Sequence, residues 1–230
     1  MEMSPAEWTA ILLSLRVAAV ATLVATPLGI ALAWLLARRD FWGKSVLDAA
    51  IHLPLVLPPV VTGYLLLLSF GRHGLVGGFL ADQFGIVFAF RWTGAALACG
   101  VMSFPLLVRP IRLSIEAVDQ RLEQASATLG AAPWQVFATV TLPLALPGIL
   151  AGMVLGFAKA IGEFGATITF VSNIPGETQT ISSAIYSLIQ TPDGDTAALR
   201  LVVISIVIAT TALIGSEWFA RRATQRLHGN

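Results

Sequence analysis

Apolar residues in this chain come in long unbroken runs. Runs close to 20 residues predict membrane-spanning helices at residues 11–36, 46–70, 92–108, 147–171 and 197–219. Hydrocarbon offers a backbone amide no water to bond, so each span must be a helix or a strand of a closed barrel. Barrel strands would show alternating segments of about ten residues. These runs are continuous and much longer, so the expected fold class is all-α, a polytopic membrane protein of about five transmembrane helices. Residues 75–90 are also apolar, but Gly77, Gly78, Asp82, Gln83 and Gly85 interrupt them, which predicts an interfacial or re-entrant segment in place of a sixth span. Pro27, Pro54, Pro58, Pro59, Pro105 and Pro110 lie in or at the ends of predicted helices and should kink them. The expected organisation is one transmembrane domain over residues 1–230.

Composition agrees with the pattern. The chain is 56% hydrophobic and 12% charged, against roughly 25% charged residues in a soluble domain. So few charges cannot coat a water-soluble globule. The lone Cys99 excludes an internal disulfide and reads as a small buried side chain. His52, His73 and His228 form no cluster, so no metal site is expected. The first apolar run follows no basic segment and exceeds signal-peptide length, so it reads as a retained span.

A net charge of +1 implies no attraction to nucleic acid, and only the placement of charge informs. Arg38, Arg39 and Lys44 follow the first span, Arg109, Arg112 and Arg121 the third, and Arg221, Arg222 and Arg226 the fifth. Arg72, Arg91 and Arg200 flank the other side. Because basic flanks stay in the cytoplasm, the N-terminus is expected outside and the C-terminus inside.

The longest cytoplasmic loop, 111–146, has helix chemistry. Residues 114–129 open on Ser114 and space Ile115, Val118, Leu122 and Leu129 along one amphipathic face, and Gly130 supplies a left-handed stop. Pro133 then starts a second short helix containing Trp134, Val136 and Phe137, which Pro143 and Pro147 are expected to end. The pattern alone suits either a docking element for a partner or a connector lying on the membrane surface.

Gln124-Ala125-Ser126, then Gly130, then Val140-Thr141-Leu142-Pro143 resembles the EAA signature of permease subunits of ATP-binding-cassette importers. The spacing matches throughout. Gln124 stands where the family usually has Glu, with Glu123 just before it, and Ser126 and Val140 replace Ala and Ile. The resemblance implies that Glu123, Gln124, Ala125, Ser126, Gly130, Leu142 and Pro143 belong to a loop that docks into a groove of a separate cytoplasmic ATPase. The chain has no Gly-rich Walker loop, so ATP and Mg are expected on that partner, with no cofactor on this chain and no catalytic role for it.

A wider resemblance, over almost the whole chain, is to molybdate importer permeases. It rests on His52-Leu53-Pro54-Leu55-Val56-Leu57-Pro58-Pro59-Val60-Val61-Thr62-Gly63, Phe70-Gly71-Arg72, Phe90-Arg91-Trp92-Thr93-Gly94, Gly162-Glu163-Phe164-Gly165-Ala166-Thr167 and Asn173-Ile174-Pro175-Gly176-Glu177-Thr178. Sulfate and thiosulfate permeases share the Gly-Glu-Phe-Gly part and are the alternative. The resemblance implies a type I importer fold, molybdate or tungstate as cargo and a bacterial inner-membrane location. It also implies a homodimer of this chain, an ATPase dimer and an extracytoplasmic oxyanion-binding protein.

An oxyanion path needs donors and small residues, because a dianion held too tightly would not leave. Thr62, Ser103, Thr167 and Thr169 are candidate donors, and Gly63 and Gly165 allow close backbone approach. Hydroxyls within spans also commonly bond their own helix. Lys159 and Glu163 share one helix face, and charge inside a membrane is costly enough to mark function. They read as a structural or gating pair, or Lys159 meets the anion. Arg16 lies near the outer end of the first span and can snorkel to the interface.

Two rivals find less support. An intramembrane enzyme needs a nucleophile with its base or paired acids, yet Glu163 is the only acid well inside a span and Ser103 has no histidine beside it in sequence. An ion-gradient carrier often shows internal repeats, and none is clear here.

Overall fold

The computed structural model describes residues 3–227, with side chains through residue 215. His228 and the side chains of Arg221, Arg222 and Arg226 lie outside the described residues. Helices account for nearly all of the described chain. They are α1 (Pro5–Arg38), α2 (Lys44–Val56), α3 (Pro59–Phe70), α4 (Leu75–Phe84), α5 (Trp92–Glu116), α6 (Gln120–Thr128), α7 (Pro133–Val136), a π-helical turn (Phe137–Thr141), α8 (Leu142–Ile161), α9 (Gly165–Val171), α10 (Ile181–Leu188) and α11 (Asp195–Leu227).

Helices α1, α5, the continuous stretch Pro133–Ile161 and α11 are each long and apolar enough to cross a membrane. The pair α2 and α3 reaches that length jointly, bent by 116° at the break. Charges and rings mark a consistent thickness. Arg16 stacks on Trp92 at 3.8 Å, at the start of α5. Arg38 lies about 33 Å from Arg16 along α1, close to the roughly 30 Å of bilayer hydrocarbon. Along α5, Arg112 stands about 30 Å from Trp92. Leu23, Val24 and Leu28 of α1 and Val203, Ile206 and Val207 of α11 point outward between these levels. Only lipid or another apolar surface can cover them.

The core is α1, α5 and α8 packed side by side through small residues. A methyl group on Gly152 would come 2.5 Å from the Leu107 carbonyl oxygen, and one on Gly148 would come 2.2 Å from Ser114 Cβ. Such close approach admits only glycine, as at many membrane helix interfaces. At the end carrying Arg38, here the basic end, Arg112 joins α5 to Asp48 of α2 at 2.9 Å and to Glu116 at 2.8 Å. In the α1–α2 turn a hydrogen bond from Lys44, 2.8 Å, and its charge hold the Asp40 carboxyl below its usual range. At the opposite end Ser4 and Glu7 form a capping box on α1, and Arg200 of α11 reaches Glu7 at 2.9 Å.

Several elements differ from the sequence expectation. The run 46–70 is two helices, because Pro58 and Pro59 cannot donate to the preceding turn and Leu57 takes an extended backbone. The run 147–171 is also two, α8 and α9, separated at Gly162-Glu163-Phe164. Ser114 does not open the loop helix. Its hydroxyl donates to the Ala145 carbonyl, 3.3 Å, and α5 continues to Glu116 because Ile111 and Ile115 are buried against the core. Asp119 caps α6 instead, accepting from Arg121 N at 2.9 Å. Pro143 and Pro147 end nothing: the helix runs through both. The π turn explains the first passage, since Leu142 N bonds Phe137 O, five residues back, and this looser winding accommodates a ring that offers no N–H. Helix α4, within 75–90, has ten residues and is too short to span. Gly130 takes the left-handed backbone, φ 89°.

Helices α3 and α9 meet backbone to backbone. A methyl on Gly63 would lie 2.5 Å from the Ala166 carbonyl oxygen and 2.9 Å from its Cα. Gly63→Ala is therefore expected to lower the melting temperature of the detergent-solubilised protein, an overpacking cost of about 1–3 kcal/mol. Gly215→Ala, inside α11 where a methyl meets nothing within 4 Å, should leave it unchanged or raise it. Equal melting temperatures for the two variants would contradict this packing.

Candidate functional site

Two helix breaks meet at one side of the bundle, with Pro58, Pro59 and Gly162 exposed. One is Leu57-Pro58 between α2 and α3, and the other is Gly162-Glu163-Phe164 between α8 and α9. They touch where a methyl on Gly165 would come 2.7 Å from Pro59 Cβ. The Cys99 thiol, about 10 Å along α5 from Trp92, lies 3.5 Å from the Ala160 carbonyl. The breaks thus sit about a third of the way into the membrane from the end opposite the basic one.

A broken helix exposes backbone groups that hydrocarbon cannot satisfy, and side chains supply the missing partners here. Glu163 Oε1 accepts from Ala166 N at 3.0 Å, capping α9. Ser182 donates to the Ile161 carbonyl at 3.3 Å, and Ile181 N donates to Ser14 Oγ at 2.7 Å. Lys159 Nζ donates to Glu163 Oε2 at 2.6 Å. Glu163 is 2% exposed, whereas the Lys159 side chain remains 30% exposed. The carboxylate is held from two directions, while part of the ammonium surface stays open.

The candidate donors separate. Thr167 donates to the Phe164 carbonyl at 2.9 Å, Thr169 to Gly165 at 2.8 Å and Ser103 to Gly100 at 3.3 Å, each within its own helix or cap. Thr62, beside Gly63 in the first turn of α3, is buried with no partner for its hydroxyl among the described residues. The structure gathers Thr62, Gly63, Lys159, Glu163, Gly165 and Thr167 around the two breaks and places Ser103 on α5, one turn beyond Cys99.

The loop residues form a second arrangement at the basic end. Helix α6 carries Glu123, Gln124, Ala125 and Ser126. Gly130 turns the chain into α7, and Leu142 and Pro143 begin α8. Leu122, Leu129 and Trp134 are exposed, as is Gln124, so an apolar shelf faces away from the bundle. Glu123 faces the other way: its Oε1 accepts from Arg38 Nη2 at 3.1 Å and from Thr141 Oγ1 at 2.6 Å. It therefore does not supply on the outer face the acid that Gln124 replaces. In the sequence Arg38 stands only as a flanking charge, and Thr141, Ser14 and Ser182 are not among the candidate site residues. The signal for Thr141 was its place within Val140-Thr141-Leu142-Pro143, while nothing local marks the serines.

Comparison with known proteins defines the class. Residues 25–225 match the family described as binding-protein-dependent transport system inner membrane component, and the chain belongs to that family. It is a multi-pass inner-membrane transport subunit. The chain is 62% identical over 220 residues, 96% of each chain, to the molybdenum transport system permease protein ModB of Escherichia coli (strain K12). It is 57% identical over 221 residues, again 96% of each, to the ModB protein of Haemophilus influenzae. The fold matches a bacterial ABC transporter involved in alginate import, with TM-score 0.76 and 19% identity over 97% of this chain and 82% of that one. The all-α fold expected from the apolar runs, of the importer-permease type that the whole-chain resemblance implies, is the fold observed.

Removing Lys159 leaves the Glu163 carboxylate buried without its counter-charge. Lys159→Met is expected to destabilise the solubilised protein by about 3 kcal/mol. Adding Glu163→Gln should restore much of the loss, since the amide oxygen still caps Ala166 N. Melting curves of the three proteins check this, and a double variant no more stable than the single one would contradict it.

Proposed function

We propose that this chain is the membrane-spanning subunit of an ATP-binding-cassette importer that moves molybdate, or the isostructural tungstate, into the cytoplasm. Two copies form the pathway, an extracytoplasmic oxyanion-binding protein delivers the cargo, and a cytoplasmic ATPase dimer holding ATP and Mg drives the cycle. The basic end faces the cytoplasm, with the N-terminus outside and the C-terminus inside, as the distribution of Arg and Lys supports.

The observation that carries this reading is the outward apolar shelf of α6 and α7 at the basic end, joined to a helix that runs unbroken from Pro133 to Ile161. One end of that helix lies on the shelf and the other on the break at Glu163. A push on the shelf is thereby delivered, along one continuous helix, to the paired breaks. Molybdate in preference to sulfate rests on the names of the two relatives and the extent of their identity.

The path chemistry suits a dianion that must be released. Small residues let backbone approach closely at Gly63 and Gly165, the Thr62 hydroxyl has no competing partner, and the Lys159 charge is already balanced by Glu163. Such a surface offers donors without a ring of fixed cations, so binding stays weak enough for transit.

The test is uptake into vesicles containing this chain, its ATPase and its binding protein. ATP-dependent accumulation of radiolabelled molybdate, undiminished by excess sulfate and insensitive to dissipation of proton and sodium gradients, is expected. Uptake that sulfate abolishes would move the assignment to sulfate, and uptake without ATP would remove the importer reading.

A further inference from the structure

Helix α6 is poorly anchored for an element that must transmit force. It has no buried residue, and its apolar side chain Leu122 is half exposed. Among the described residues, Glu123 is the only α6 side chain that hydrogen-bonds another helix. Glu123 Oε1 accepts from Arg38, the last residue of α1, and from Thr141, the last residue of the π turn that leads into α8. The same Arg38 Nη2 also donates to the Val118 carbonyl at 3.0 Å, where α5 gives way to α6. The arrangement is largely withdrawn from water: Thr141 is 1% exposed, and the Arg38 and Glu123 side chains are 9% and 19% exposed. A charge pair so shielded is stronger and less screened than one in bulk solvent.

We propose that Glu123 is a positioning residue that pins α6 to α1 and α8 together, so that displacement of α6 by the nucleotide-hydrolysing partner reaches both spans through this carboxylate, beside the direct path along the Pro133–Ile161 helix. The proposal rests on the importer reading above and adds the element that makes hydrolysis productive. Thr141 is well placed for that role. It ends the π turn, where Leu142 N bonds Phe137 O, and a π turn holds one residue more than an α turn, so a pull there acts on the winding of all of α8. Trp34 of α1 meets Phe137 edge to face at 6.1 Å and keeps the turn against α1 while Glu123 holds its far end. The outward shelf binds the partner, and the inward acid converts that grip into movement of two helices at once.

Glu123→Gln keeps the shape and an acceptor for Thr141 but removes the charge that holds Arg38. In vesicles containing the assembled transporter and binding protein, the variant is expected to retain its ATPase at the normal ratio and to hydrolyse ATP. The anions moved per ATP should fall about tenfold. Exchanging the charges in Arg38→Glu with Glu123→Arg should recover part of that ratio. Thr141→Val, which spares the ion pair and loses one hydrogen bond, should lower it less and carries the test should Glu123→Gln not reach the membrane. Parallel loss of hydrolysis and uptake, loss of the ATPase from the purified complex, or an unchanged ratio would each overturn the pin. The wild-type arm keeps the two readings apart: wild type without ATP-driven uptake defeats the importer assignment, whereas normal wild-type coupling with unaltered variants defeats the pin alone.

Discussion

Absence of water in the bilayer core governs this structure. A backbone amide or a carboxylate that loses its partner there is destabilised by several kcal/mol, so a helix can break only where the protein itself completes the bonding. The α8–α9 break obeys this rule through side chains brought to it from several helices. Glu163 caps α9, Lys159 balances Glu163, and Ser182 and Ser14 serve the backbone groups of Ile161 and Ile181. The glycines follow from the same constraint, because α3 and α9 can come together there only if Gly63 and Gly165 carry no side chain.

The same physics divides the molecule into stiff and adjustable parts. The helix from Pro133 to Ile161 is continuous, so its two ends move together apart from the π turn at 137–141. One end belongs to the exposed shelf and the other to the paired breaks, about two thirds of the membrane away. Arg38 and Arg112 tie α1, α2, α5 and the loop into one basic end, while Glu7 and Arg200 tie α1 to α11 at the other. Movement between these clamps falls to the places where winding changes.

Much of the fold was legible because a membrane imposes a simple pattern: long apolar runs became spans, and the basic flanks among the described residues, Arg38 and Arg112 with their neighbours, collected at one end. The boundaries were less legible for a physical reason. Apolar periodicity does not record where a helix breaks when both halves remain apolar, so 46–70 and 147–171 read as single spans, although Pro58-Pro59 and Gly162 carried the signal. Proline was over-read elsewhere, since the π turn before Pro143 lets the helix pass. At the site, the motif located the loop and the pairing of Lys159 with Glu163 was visible from their spacing. The inward turn of Glu123 was not, because it depends on Arg38, 85 residues away in sequence. Three of the four hydroxyls taken as donors bond their own helix or cap. Only packing across helices leaves Thr62 different.

The central claim is that the shelf of α6 and α7 receives the driving partner on the cytoplasmic side. Its most direct test is site-specific labelling of Leu129→Cys, an exposed position on that shelf, in sealed vesicles of known orientation, with the buried Cys99 replaced by alanine. A membrane-impermeant maleimide should react only from the cytoplasmic face, and adding the ATPase subunit should suppress the reaction. Labelling from the outer face, or labelling that the ATPase leaves unchanged, would contradict the account.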